Sequence, residues 1–212
     1  MQNETHMKRI AVIGAGGNAR ELADMLRGRQ EFQVVGFLTN AHSKYDSQVL
    51  GDFSWPAAHQ IDAFAMGIGD PICKYRVAEE LCMRYPHIEW PIIVHPTAHV
   101  GSTVKLSRGV VVCIGAIATT DIQVGEFAQL NFGCTVGHDA VVGPACLINP
   151  GANLSGGVHL GRSVLVGTGA QVLQYVDVGD EARIGAGAVV TKGVEAGTTV
   201  VGIPAKPLVK KQ

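Results

Sequence analysis

The side chains best suited to chemistry stand next to each other: His138 and Asp139, in the stretch Asn131-Phe132-Gly133-Cys134-Thr135-Val136-Gly137-His138-Asp139. An imidazole exchanges a proton near neutral pH, and a neighbouring carboxylate orients the ring and stabilises the imidazolium that forms. The pair predicts general-base chemistry, in which a proton is drawn from an amine or hydroxyl as it attacks an electrophile. Such a reaction also needs a hydrogen-bond donor for the developing oxyanion, and a bare glycine amide serves that purpose. A surface histidine beside an aspartate is also a common incidental arrangement, and other histidines compete with it. His95, His99 and His159 lie in the same half of the chain. Three histidines can hold a zinc ion, but no two of these share the spacing such a site needs. No metal is expected.

The elements that must position His138 follow from a repeat. Stepping by six from Val94 to Val190 meets 17 residues, of which 16 are Val, Ile or Leu and one is Ala118. Four residues beyond each stands a small or β-branched side chain, from Ala98 through Cys134 and Cys146 to Val194. Gly often follows the first column, as at Gly101, Gly125, Gly137 and Gly161. A period of six fits neither the 3.6 of a helix nor the 2 of a simple strand. It fits a triangular solenoid in which each hexapeptide supplies a short strand and a turn, and stacked coils bury one continuous aliphatic column. Three hexapeptides make one coil, and residues 94–201 are expected to fill six coils in unbroken register. His138 falls at a turn and points outward. One coil later, Gly156 is expected directly over it on the same edge.

Residues before the repeat read differently. Arg9-Ile10-Ala11-Val12-Ile13 predicts a buried strand, Arg20 to Arg29 a helix, Gln33 to Leu38 a second strand, and Ala63 to Ile68 a third. A helix is expected from Asp70-Pro71 to about Tyr85, with Pro71 in its first turn. This βαβαβ order predicts a small parallel sheet covered by helices. Between the first strand and helix, Gly14-Ala15-Gly16-Gly17-Asn18-Ala19 matches a phosphate-binding fingerprint, in which glycines let a phosphate approach the amides at a helix N-terminus. The acidic residue that dinucleotide binders carry after the second strand is missing, because Thr39 and Asn40 stand there. A nucleotide diphosphate group suits this loop better than NAD, and a Gly-rich turn without a ligand is the plainer alternative. The chain is therefore divided at 1–92, a small α/β nucleotide-binding domain, and 93–212, a solenoid domain with a C-terminal tail.

Composition narrows the classes. A net charge of -1 gives no reason to expect a nucleic-acid partner. The first residues are polar, and no stretch of about 18 apolar residues suggests a membrane span. Five cysteines without a CxxC pair suit a reducing compartment, so a cytoplasmic protein is expected.

These motifs together resemble the NeuD/PglD-type sugar acetyltransferases, within the hexapeptide-repeat, left-handed β-helix acyltransferases. The resemblance rests on Val12-Ile13-Gly14-Ala15-Gly16-Gly17, Gly67-Ile68-Gly69, the segment from Asn131 to Asp139, and Gly202-Ile203-Pro204-Ala205-Lys206. It implies a Rossmann-like α/β domain followed by a left-handed parallel β-helix. It also implies a homotrimer with active sites between subunits, and acetyl-CoA as cosubstrate in the groove between neighbouring helices. By the resemblance His138 is the general base and Asp139 its partner, Asn131 helps hold the imidazole, and the Gly156 N–H meets the oxyanion. Leu147, Gly156, Thr168, Ala186, Gly187, Pro204 and Lys206 would contact the coenzyme, with Thr168 and Ala186 on the same side as Gly156. The nucleotide of the acceptor would meet Gly14, Gly16, Gly17, Asn18, Thr39, Asn40 and Gly69. Asn18 stands where many relatives carry His, Thr39-Asn40 replaces an acidic pair, and Leu147 replaces a frequent coenzyme-contacting His. The implied activity is acetyl-CoA-dependent N-acetylation of a nucleotide-linked amino sugar in bacterial glycan biosynthesis. O-acetylation of a sugar of the sialic-acid type, or a non-catalytic sugar-nucleotide-binding scaffold, are the alternatives.

Overall fold

The computed structural model describes residues 7–41 and 48–208. The chain divides into two compact units: one formed by residues up to Gly69 with Arg76–Pro91, the other by Asp70–Tyr75 with the residues from Ile92 onward.

The first unit is a parallel four-stranded sheet. β1 (Lys8–Ile13) leads through α1 (Gly17–Arg27) to β2 (Phe32–Leu38); β3 (Val49–Gly51) and β4 (Ala63–Met66) complete the order β3-β2-β1-β4. The central β1 reads as an apolar run because both of its faces are covered, and Ile10 to Ile13 are fully buried. α1 turns Ala19, Leu22, Ala23, Met25 and Leu26 onto the sheet. It approaches closely at one point: a Cβ on Gly67 would lie 2.7 Å from the Cα and Cβ of Ala19. The edge strand β3 was not expected from the sequence. It is short and its three residues carry no alternation of polarity. α2 (Pro71–Arg84) begins at the expected proline, and its first turn belongs to the second unit.

The second unit is the solenoid, a left-handed β-helix. Two-residue strands recur every six residues from Ile93–Val94 to Val189–Val190 and fall into three parallel sheets, the faces of a prism. The eight-stranded face starts at Ile93–Val94, the six-stranded face at His99–Val100 and the five-stranded face at Lys105–Leu106. Strands pair with those one coil on, as in Thr135↔Asn153 and Val136↔Leu154. Each two-residue strand turns one side chain in and one out. Leu130, Val136, Ile148 and Val166 are fully buried in the aliphatic column, with Ala128, Cys134, Cys146 and Ala152 beside them. Burial pushes the Cys134 and Cys146 thiols up to about 12, so both are packing groups and not thiolates. Glycine after the inward aliphatic permits the coils to approach: a Cβ at Gly125 would stand 2.7 Å from the Pro144 nitrogen.

The expected unbroken register fails in the last coil. Arg183 pairs with Thr199, Ile184 with Val200, and Val178 with Val194, so this coil is two residues shorter than the others. The turn at Thr191-Lys192-Gly193 contracts and shifts Val194 into the large-aliphatic column, where it is buried. Beyond it Lys206–Pro207 folds back antiparallel to Thr199–Val201, and the Ala205 N–H donates to the Val189 carbonyl at 2.8 Å.

Candidate active site

The three edges of the prism differ in what they display. One edge joins the six-stranded to the five-stranded face and carries His138 and Asp139. Here the Asp139 backbone is left-handed, φ 59°, a conformation that aspartate tolerates better than most residues. His138 Nδ1 lies 2.7 Å from Asp139 Oδ2. Because a carboxylate only accepts, this contact assigns the proton to Nδ1 and leaves the Nε2 lone pair open. Both side chains are exposed. Gly156 lies one coil further on the same edge, as the period predicts. A Cβ built there would stand 2.4 Å from His138 Nε2 and 2.5 Å from Cε1, so the imidazole rests on the bare Gly156 Cα. The Gly157 N–H donates to the His138 carbonyl at 2.8 Å, which ties the two turns together. Among the described residues, nothing accepts a hydrogen bond from the Gly156 N–H.

Other expected site residues lie elsewhere on the prism. Asn131, Thr168, Ala186 and Gly187 occupy the edge between the eight-stranded and six-stranded faces. The expectation that Thr168 and Ala186 share the side of Gly156 is therefore corrected. Thr168 follows Gly156 by two thirds of a coil, which carries it to another edge. Asn131 does not hold the imidazole of its own chain. It is buried, and its Oδ1 accepts from the Phe132 N–H at 2.8 Å. Pro204 and Lys206 are exposed on the returning tail, which Ala205 fastens to Val189, in the six-stranded face beside this second edge.

Leu147 is also corrected. It faces outward from the eight-stranded face yet is only 5% exposed, like Ile93, Val111 and Gln129 in the same row. The segment Asp70–Tyr75 lies against this face: Ser163 Oγ donates to the Pro71 carbonyl at 3.3 Å, Arg183 pairs with Asp70 at 2.6 Å, and Arg162 stacks over Tyr75. A leucine so enclosed offers a coenzyme no surface. Sequence reasoning also missed Lys74 in this layer. Its Nζ is fully buried with no hydrogen-bond partner, and burial lowers its pKa to about 8. Its polar side chain gave no sign of that fate.

The second edge has one property legible in the sequence. After a first turn that carries Thr97, its third turn residue is glycine in five successive coils: Gly115, Gly133, Gly151, Gly169 and Gly187, all with φ between 60° and 67°. On the other two edges the same conformation is held by Asp121, Asp139, Tyr175, Phe127, Ala145, Ser163 and Glu181. Backbone angle alone therefore does not demand glycine. A Cβ at Gly133, Gly151, Gly169 or Gly187 would meet nothing within 4 Å. This edge is a bare backbone ridge open to whatever lies outside the chain.

In the first unit, Gly14 (φ 94°) makes the sharp turn after β1, and its N–H donates to the Leu38 carbonyl at 2.8 Å. Gly16 and Gly17 start α1 with open space at Gly16, no capping side chain and no acidic residue in the first turn. Asn18 Nδ2 donates to the Gly67 carbonyl at 3.1 Å, and Gly69 packs near the Asn18 Cβ. Thr39 and Asn40 sit at the C-terminal end of β2. Their oxygens are engaged locally: Thr39 Oγ1 accepts from the Ala41 N–H and Asn40 Oδ1 from the Phe53 N–H. The structure thus gathers the expected nucleotide residues at the carboxyl ends of parallel strands, where α/β sheets bind ligands. Among the described residues there is no cluster of three metal-ligating side chains, and no helix is long and apolar enough to cross a membrane.

Comparison with known proteins agrees with this architecture. The PglD N-terminal domain family matches residues 9–81. Comparison with curated proteins finds no match. Among solved structures, a variant of perosamine N-acetyltransferase from Caulobacter crescentus, in complex with CoA and GDP-perosamine, superposes with a TM-score of 0.86 at 27% identity over 95% of this chain and 97% of that one. The acetyltransferase domain of PglB from Neisseria gonorrhoeae, in complex with acetyl coenzyme A, gives 0.88 at 28% identity over 95% and 100%. WeeI from Acinetobacter baumannii gives 0.84 at 25% identity over 94% and 99%. The fold and these matches define an acyltransferase built on a hexapeptide-repeat β-helix. Within that class the chain is similar to the NeuD/PglD-type sugar acetyltransferases.

Proposed function

We propose that the protein transfers the acetyl group of acetyl-CoA to the amine of a nucleotide-linked sugar, in the making of a bacterial glycan. The observation that carries this reading is the His138 ring, fixed by Asp139 at Nδ1 and resting with Nε2 on the bare Gly156. Nε2 takes the proton as the amine attacks the thioester carbonyl. The Gly156 N–H hydrogen-bonds the tetrahedral oxyanion, and collapse expels the coenzyme thiolate, which receives the proton from the imidazolium. General-base help of this kind contributes about 10²–10⁴-fold. The sugar's nucleotide is held at Gly14, Gly16, Gly17, Asn18, Thr39, Asn40 and Gly69.

The coenzyme lies against the backbone ridge at Thr168, Ala186 and Gly187, with Pro204 and Lys206 at its far end. Since the histidine and the ridge stand on different edges of one prism, the reading includes a homotrimer in which the histidine edge of one copy meets the glycine ridge of the next. Its neighbours' complexes with CoA and GDP-perosamine, and with acetyl coenzyme A, support both substrates by similarity. The test is incubation with acetyl-CoA and a panel of UDP-, dTDP- and GDP-linked amino sugars, following free thiol. Turnover with at least one amino sugar is expected. Turnover with a free sialic acid and none of the panel would overturn the reading.

A further inference from the structure

We propose that Tyr175 is a donor-binding residue, its exposed ring forming a wall along which the thioester arm of the coenzyme leaves Gly156. The inference rests on the acetyl transfer proposed above. Tyr175 belongs to the histidine edge, one coil beyond Gly157, and its N–H donates to the Gly156 carbonyl at 3.0 Å. Its backbone is left-handed, φ 58°, which is uncommon for a bulky aromatic. The ring is laid back along the edge: a Cβ at Gly157 would stand 2.4 Å from Tyr175 Cδ1 and 2.6 Å from Cε1. It therefore rests on the glycine next to the one that carries the imidazole.

The fold uses this device twice. Phe127 has φ 60° and lies on Gly109 in the same way, on another edge. There Arg108 stacks on the ring and Phe127 is 4% exposed. Tyr175 is 73% exposed, and Leu173, at the start of the same turn, is also exposed. The same packing has thus been left open only where it borders the candidate reaction centre. An aromatic face with an aliphatic neighbour suits the methylene and amide chain that carries the thioester of coenzyme A.

Charge along the edge gives the chain its direction. Asp121 and Asp139 are exposed on the side before Gly156, while Lys192 is exposed in the turn after Tyr175. A diphosphate at the end of the arm is repelled at the first side and attracted at the second. The carbonyl at Gly156 and the phosphates toward Lys192 leave the arm between them, across Tyr175. Successive coils are about 5 Å apart, so two coils' length spans this interval.

The test is calorimetric titration of CoA into the wild type, Tyr175→Ala and Tyr175→Phe, with the molar mass of each measured by light scattering. Tyr175→Ala is expected to raise the CoA Kd roughly tenfold, about 1.4 kcal/mol, with unchanged mass, while Tyr175→Phe binds as the wild type. If the wild type binds CoA and Tyr175→Ala binds it equally well, the inference fails while the acetyl-transfer reading stands. If Tyr175→Ala loses its oligomeric mass, the ring is an interface residue and the inference fails as well. A wild type that binds no CoA overturns the acetyl-transfer reading itself, and this inference with it.

Discussion

Replacing Gly156 by Ala tests the site with a single methyl group. Its Cβ would stand 2.4 Å from His138 Nε2 and 2.5 Å from Cε1, whereas non-bonded carbons settle at roughly 3.5–4.0 Å. The ring must retreat by about 1 Å. Gly156 is not among the glycines with positive φ, so alanine suits its backbone, and the amide N–H is retained. The perturbation therefore falls on the position of the base. A misplacement of about 1 Å costs on the order of 10²-fold in rate, about 2.7 kcal/mol of barrier. Steady-state kinetics should show kcat reduced on the order of a hundredfold, with thermal stability near that of the wild type. The decisive control is the same change in a His138→Ala background, where it should matter less than about twofold because no ring remains to be displaced. A wild-type-like kcat for Gly156→Ala, or a further large loss in the double variant, would refute the geometric account.

Other expectations follow from the same geometry. His138→Ala should lower kcat by about 10²–10⁴-fold without loss of fold, and Asp139→Asn should lower it less, since the ring keeps its seat on Gly156; equal losses would indicate that Asp139 does more than orient. Leu147→Ala should cost about 2–5 kcal/mol of stability, read by urea unfolding, and leave the acetyl-CoA KM unchanged; a raised KM would restore Leu147 to the donor site. Thr168→Trp, on the exposed ridge, should do the reverse, raising the acetyl-CoA KM at least about tenfold with little change in melting temperature. Lys74→Met should stabilise the protein at pH 7. Burial lowers the Lys74 pKa to about 8 from 10.5, with Cys146, Cys113 and Asp70 opposing the shift. Between these values the unfolded chain holds a proton that the folded chain lacks, so the wild type gains stability as pH rises through the window. Below pH 8 the full penalty applies, about 3 kcal/mol, and above pH 10.5 it is gone. The advantage of Lys74→Met in unfolding midpoint should accordingly shrink between pH 8 and pH 10.5, and a constant difference would show that Lys74 is not the titrating group.

Much of the solenoid was legible because its geometry is written once per hexapeptide. Inward Leu130, Val136 and Ile148 repeat one packing problem, and the same period put Gly156 over His138. Legibility ended where the period stopped being local information. The two-residue contraction at Thr191-Lys192-Gly193 leaves Val194 acceptable in either column, and the sign of the slip is faint: the unbroken register would place Ala196 and Gly202 where a large aliphatic is wanted. Leu147 was misread because an outward position in a solenoid is exposed only if nothing docks there, and Lys74 was unread because it lies on the segment that docks. The contact of Asp70–Tyr75 with the eight-stranded face joins residues far apart in sequence. Thr168 was misplaced by the arithmetic of the prism, since a hexapeptide step advances the chain to the next face and only three such steps return it to the same edge.

That arithmetic is also what the proposed intersubunit site rests on. His138 and Asp139 stand on one edge, while Thr168, Ala186 and the open glycines stand on another, with the six-stranded face between them. This face cannot bend to bring its two borders together, because its strands are locked in register by ladders such as Val136↔Leu154 and Val172↔Val190. In the proposed trimer a coenzyme would touch both sets of residues by lying between two chains. In that arrangement the bare ridge would have a physical purpose that the backbone angle does not give it, because any Cβ at Gly133, Gly151, Gly169 or Gly187 would project into the proposed space between copies. Mixing His138→Ala subunits with Thr168→Trp subunits tests this directly. Each homogeneous preparation should be impaired. Mixed trimers regain activity where an intact histidine edge faces an intact ridge, and failure of any mixture to exceed its components would place the whole site within one chain.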